Sequence, residues 1–451
     1  MERKRQFLDF KNICLLILLP LSFCIGQAAV SLYFLFCSIL FFFLFYKRNI
    51  VLEEKNLIFF SLIIFFLLTL FANFVSLGFH NLFDKTILYL RFLFFFLLGA
   101  LFFKKITNTF QRYQSTYFIF LSALTFFVLV DGYYQYFNVD KVDIFGFKAL
   151  QEHSQRLTGV FGKEPIIGSF LFHIGFPAII FLISFINKKV PNFFYNIFFN
   201  IIVIFIYLTV ILLSGERISF LMSILSFFLV IILFQKNKIK IFLLFFFFLL
   251  FFCLMILYNP NVKQRYFDFI SEISLNRLIN KNNLVSEINK SKNFFDSQWG
   301  AHYLTAIEMF KTEPLFGIGM GQFRNNCHDK KYEKINSNSR AIRCTSHPHN
   351  IYLEIFSETG IFAGFAFIIF IIIILYKAIR VIFQKNVRNL KDTIEYNVFL
   401  SFFAVSLTIF FPIKSSGSFY SNFYGSFVWY NLTALYIYLQ YFQNLLKHKD
   451  K

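Results

Sequence analysis

The residues best suited to chemistry in this chain are two histidines in the run Ser346-His347-Pro348-His349-Asn350-Ile351. Imidazole changes charge near neutrality, so a positioned histidine can take the proton of a weak nucleophile such as a hydroxyl. A long hydrophilic stretch from Asn259 onward precedes the pair, and Tyr352 to Gly360 followed by nearly continuous Ile and Phe comes after it. Such a junction sits at a membrane surface, beside the headgroups, where a lipid-linked substrate could be worked on. Asn350 has the right type to cap the following helix and aim its positive end at an anion. His349 is then either a base or only the neighbour of a cap. His347-x-His349 together with Cys327, His328 and Cys344 also offers zinc-type ligands.

The elements that must hold these residues are membrane spans. Of 451 residues, 57% are hydrophobic and 22% aromatic, with 75 Phe. Runs such as Ile241 to Phe248 have no polar face, which excludes amphipathic packing in water. The formal net charge of +20 would suit nucleic acid in a soluble protein. Here Lys and Arg cluster in the short connections between apolar runs, as the positive-inside rule requires, so nucleic acid is not an expected partner. The fold class is therefore all-α and polytopic, with about twelve transmembrane helices and one large, mostly helical external loop.

Asn12 to Tyr46 is too long for one crossing and breaks at Gly26-Gln27. Further spans are expected at Leu57–Leu77, Thr86–Phe103, Thr116–Phe137, Ile166–Ile186, Asn196–Leu213, Ile218–Phe234 and Ile241–Tyr258, then at Ile351–Tyr376, Val398–Ile413 and Val428–Leu446. Residues 1–258 thus hold spans one to nine, with an external segment at about 138–165. Residues 259–350 form the large external loop, and 351–451 hold spans ten to twelve, all in one integrated membrane domain. Both termini are expected in the cytoplasm. Within the loop, Tyr303 to Phe310 has helical spacing and Glu313-Pro314 stops it. Gly317-Ile318-Gly319-Met320-Gly321 follows a helix rather than a strand, so it reads as a tight turn and not as a dinucleotide fingerprint.

The run Pro314 to Phe323, then His347 to Glu354, then Glu358-Thr359-Gly360-Ile361, resembles the O-antigen ligase and polymerase superfamily, which includes protein O-oligosaccharyltransferases. The short turn Ser214-Gly215-Glu216-Arg217, the span count and the late loop agree with that resemblance, which covers roughly Ile201 to Gly364 as motif. His349, Asn350 and Gly360 meet the ligase spacing. Ala363 stands where Gly is common, with Gly364 one place late.

The resemblance implies transfer of a glycan from undecaprenyl diphosphate to an acceptor hydroxyl at the periplasmic face of the bacterial inner membrane. The acceptor would be lipid A-core for a ligase, a carrier-linked unit for a polymerase, and Ser or Thr for a protein glycosyltransferase. Arginine suits the diphosphate leaving group, having a permanent charge and a fixed donor fork. Arg217 is then the expected clamp and His349 the expected base. Arg265, Arg156, Lys163, Glu216, His347 and Asn350 are further substrate-binding candidates. A plain alternative for Arg217 is snorkelling to the headgroups. In an oxidising periplasm Cys327 and Cys344 are expected to pair rather than bind zinc. No metal or nucleotide motif is present, so no cofactor is expected and the donor's phosphate bond supplies the energy. From another class, a flippase for lipid-linked solutes would suit Arg91 and Asp131 inside spans, yet no inverted repeat is visible.

Overall fold

The computed structural model describes residues 17–46, 56–81, 85–106, 110–148, 156–190, 193–234, 238–260, 262–264, 266, 294–333, 335, 340–388, 390–391 and 393–449. Among them the chain is helical, with an isolated β-bridge between Val142 and Lys148. In order come α1 (17–25), α2 (Gln27–Tyr46), α3 (Leu57–Asn81), α4 (Thr86–Ile106), α5 (Phe110–Phe137) and α6 (Ile167–Lys189). They are followed by α7 (Phe193–Leu213), α8 (Arg217–Phe234), α9 (Lys238–Tyr258), α10 (Gln298–Thr312), α11 (Ile351–Phe383), α12 (Ile394–Ile409) and α13 (Asn422–Lys449). Five of the described helices are long and apolar enough to cross a membrane: α2, α6, α11, the Leu57–Gly78 part of α3 and the Gln114–Phe137 part of α5.

Helices dominate because a backbone with no water around it must satisfy its own N–H and C=O groups. Boundaries follow local chemistry. The break expected at Gly26 is there, with φ at +125°. α12 starts at Ile394 rather than Val398, because Thr393 Oγ1 accepts from the Tyr396 amide. It stops at Ile409, short of Pro412.

α11 lies along α3, α13 along α4, and α12 against α6 and α8. The centre is aromatic: the Trp429 indole N–H donates to Tyr89 Oη at 3.0 Å, and Phe92, Phe370 and Phe419 surround that pair. α13 approaches α4 so closely that a Cβ on Gly99 would lie 2.5 Å from Thr433.

α11 is kinked at Gly360, whose φ is +76°. The segment from Pro314 to Phe323 docks into that kink. The Ile361 amide donates to Pro314 O (2.9 Å), Ile318 N to Ser357 O (3.0 Å) and Gly319 N to Glu358 O (2.9 Å). The Glu358 carboxylate then accepts from the amides of Gly321 and Phe323. A Cβ at Gly360 would sit 2.2 Å from Leu315 O, and one at Gly317 would sit 2.4 Å from the Glu358 carbonyl carbon. The glycine-rich run is thus a turn whose backbone pairs with a helix kink, and glycine is needed because two backbones touch.

Candidate functional site

The junction between the loop and α11 is built by backbone geometry. Asn350 adopts an extended conformation, and its Oδ1 accepts from the amides of Tyr352 (3.0 Å) and Leu353 (3.1 Å), a helix cap. Its Nδ2 donates to Pro412 O at 2.7 Å, which ties the junction to the connection between α12 and α13. Glu354, one turn into α11, accepts from Ser418 Oγ and from the Phe419 amide at 2.8 Å, holding the same connection further along.

Ser416 in that connection clamps both histidines. Its amide donates to His349 O at 2.8 Å, and its carbonyl accepts from His347 Nε2 at 3.0 Å. His347 therefore carries its proton on Nε2, and its Nδ1, 2.8 Å from Ser346 Oγ, accepts from that hydroxyl. Both nitrogens of His347 are occupied. His349 is held more loosely: Nε2 lies 3.4 Å from Thr345 Oγ1, and the ring is only partly buried. His349 also has φ at +58°, a left-handed conformation that costs a non-glycine residue on the order of 1 kcal/mol. Such strain persists where surrounding contacts enforce it, and Ser416 and Asn350 are those contacts.

The His349 ring packs on His347 (centroids 4.1 Å apart), on Trp299 (4.6 Å, edge to face) and near His302 (5.5 Å). His302 and Trp299 come from α10. Burial pushes the His347 imidazolium down to about 4, and the nearby positive charge of Arg324 adds to this. Burial pushes His349 down to about 3, with His347 and His302 contributing. Both rings are neutral near pH 7, so a lone pair on His349 is available.

A second cluster surrounds the turn before α8. Gly215 at φ +81° lets the chain reverse, and Glu216 is turned inward. Its carboxylate accepts from the Gly168 amide (2.6 Å), from Ser169 Oγ and from Ser219 Oγ (3.2 Å). It thereby caps the start of α6 from the turn before α8, which suits a negative charge. Gly168 allows this approach, since a Cβ there would lie 2.8 Å from Glu216 Cβ. Burial raises the Glu216 carboxyl above its usual range, and the charge of Arg156 opposes that rise. Arg217 is the first residue of α8 and half-buried, and Arg156 is half-buried too.

The two clusters share a wall. Ser169, which contacts Glu216, accepts through its carbonyl from His173 Nδ1 at 2.8 Å. The His173 ring stacks on Phe427 (4.9 Å) and meets Tyr424 edge-on (5.7 Å). Tyr424 Oη accepts from Lys414 Nζ at 3.0 Å, and Lys414 lies two residues from the Ser416 clamp. The structure therefore joins His347, His349 and Asn350 into one unit and Glu216 with Arg156 into another, with His173, Tyr424 and Lys414 between. Lys163 is exposed and outside both groups. Arg265 lies outside the described residues. Cys327 and Cys344 are bonded to each other, with Cα atoms 5.3 Å apart.

Several residues at this site have no counterpart among the sequence candidates: Lys414, Ser416, Glu354, His302 and Trp299. Their role depends on backbone contacts across the chain, which leave no spacing to read. Lys414 alone carried a signal, a cation at the end of the apolar run Phe410-Phe411-Pro412-Ile413 followed by Ser-Ser-Gly-Ser. Asp131, by contrast, is absorbed by structure: it accepts from the amides of Ile144 (3.0 Å) and Val160 (2.6 Å) and fixes the segment after α5.

No curated protein matches the chain. The family model described as O-antigen ligase matches residues 202–368, a stretch that holds Glu216, Arg217, His347, His349, Asn350 and the Gly360 kink, while Arg156, His173 and Lys414 lie outside it. The resemblance is borne out over that stretch: residues 202–368 are similar to the O-antigen ligase family.

Proposed function

We propose that the chain is a membrane glycosyltransferase of the O-antigen ligase kind, moving a glycan from undecaprenyl diphosphate to a hydroxyl of lipid A-core at the periplasmic face of a bacterial inner membrane. In this reading about twelve spans place both termini in the cytoplasm and residues 259–350 in the periplasm, with membrane lipids around the bundle. The observation that supports it most is His349, held in a left-handed conformation with a loosely bonded, neutral ring. It stands on a wall shared with the Glu216–Arg156 cluster and the first turn of α8.

The chemistry follows from those groups. The acceptor hydroxyl gives its proton to a ring nitrogen of His349 as its oxygen attacks the anomeric carbon. The bond from that carbon to the phosphate oxygen breaks, and the electron pair leaves on the diphosphate. Arg217, with Arg156 and Arg265, holds the departing charge. Glu216 orients the arginine side of the site by fixing the start of α6. A conjugate acid near 3 makes His349 a weak base with no anion beside it. An anionic diphosphate beside it favours the protonated form and raises its basicity, so base strength grows when donor binds. No cofactor enters this scheme.

The test is glycan transfer by His349→Ala and Arg217→Ala variants that insert normally. Full-rate transfer in both refutes the reading. A deletion strain separates the close relatives: free core with accumulated carrier-linked polymer indicates a ligase, core bearing a single unit a polymerase, and loss of glycan from a protein Ser or Thr a protein glycosyltransferase. Flux of a lipid-linked solute without transfer would indicate a flippase.

A further inference from the structure

Lys414 is the feature that the scheme above does not use. It is 7% exposed, and its ammonium donates to the Tyr424 hydroxyl. Among the described residues no carboxylate lies within salt-bridge distance of it; the ion pairs found are Lys311–Glu308 and Lys331–Asp329, both on the surface. A buried ammonium without a counter-ion is costly, and burial accordingly pushes Lys414 down to about 7.

Two neighbours are unsatisfied as well. Ser416 Oγ is buried without a hydrogen-bond partner, although Ser416 supplies both backbone bonds to the histidines. His173 Nε2 is buried without one, and the Lys414 charge acts on that ring. A buried polar group left without a partner is destabilising. A buried ammonium without a counter-ion, close to a buried hydroxyl that lacks a partner, describes a site shaped for an oxyanion. A phosphoryl group suits it, because its oxygens accept from the ammonium and from the serine hydroxyl.

We propose that Lys414, with Ser416 Oγ, binds a phosphoryl group of the lipid diphosphate donor. This rests on the donor assigned under Proposed function and adds a cation outside the stretch matched by the family model. It also links recognition to the base, since the residue that clamps His347 and His349 is itself a ligand of the phosphoryl group. Occupancy of the site would then set the position of His349.

The test measures binding of farnesyl diphosphate and farnesyl monophosphate to the full-length protein in phosphatidylcholine nanodiscs, with and without phosphatidylglycerol. Lys414→Met removes a buried unpaired charge, so thermal stability is expected to hold or rise. Diphosphate affinity is expected to fall by about tenfold or more, the loss of one charge-assisted hydrogen bond, and Lys414→Arg to recover most of it. KM for donor should rise more than kcat falls. If wild-type protein binds farnesyl diphosphate and Lys414→Met binds it equally well, the proposal is overturned while the donor assignment stands. If wild-type protein binds no polyprenyl diphosphate, the donor assignment itself fails. If phosphatidylglycerol alone displaces the probe at Lys414, the site belongs to a lipid headgroup and the proposal is overturned.

Discussion

Removing the Asn350 side chain should loosen two things at once, and a pair of variants can separate them. Asn350→Ala deletes the cap on α11, worth about 1 kcal/mol, and the 2.7 Å bond to Pro412 O, worth about 1 kcal/mol net. The total is about 2 kcal/mol, or roughly thirtyfold in a local opening equilibrium. Asn350→Asp keeps the acceptor for the Tyr352 and Leu353 amides but loses the donor to Pro412. Amide hydrogen exchange in nanodiscs reads the difference. In the alanine variant the amides of Tyr352, Leu353 and Ser416 should all exchange faster, the last because Ser416 N is bonded to His349 O. In the aspartate variant only Ser416 should lose protection. Glycan transfer should drop in both, since small misplacement of a base costs rate steeply. If Ser416 exchange and transfer stay at wild-type values in both variants, Asn350 is a helix cap and nothing more, and the argument that it holds the histidines against the α12–α13 connection is refuted.

Acid should weaken the same junction. His347 falls from 6.5 to about 4 and His349 from 6.5 to about 3 on folding, so the unfolded state binds more protons between those values. The contribution is fully present above pH 6.5 and is lost as pH falls towards 4, about 3 kcal/mol for His347; limited proteolysis at pH 7 and pH 5 should show it, and His347→Gln should flatten it. Gly360→Ala must force Leu315 O away from a 2.2 Å contact while adopting φ +76°, so a loss of about 3 kcal/mol or more is expected; wild-type thermal stability in detergent would contradict the docking of the Pro314–Phe323 segment. Replacing Cys327 and Cys344 by Ser opens a loop with a sequence separation of 17, worth about 3 kcal/mol in chain entropy, and faster cleavage between residues 328 and 343 is the expected readout.

How much of this was legible in the sequence depends on which interaction does the positioning. Helix placement was readable, because apolarity and length decide a span, and Gly26 announced its own break. The cap at Asn350 was readable, because capping is a property of residue type next to an apolar run. The glycine-rich turn was readable as a turn, yet its docking was not. Ile318 and Gly319 meet Ser357 and Glu358 through backbone atoms, which any sequence possesses. The same holds at the centre of the site. Ser416 fixes two histidines with its own amide and carbonyl from about seventy residues away, and no spacing rule spans that distance. Lys414 was nevertheless marked in a way the charge rule itself supplies. In the expected topology the lysines and arginines gather on the cytoplasmic side, and Lys414 follows a span that runs the other way. A cation placed against the charge rule, and then buried without a counter-ion, is better explained by an anion it must bind than by anchoring, because an anchor reaches out of the protein to the headgroups and Lys414 is turned inward against Tyr424.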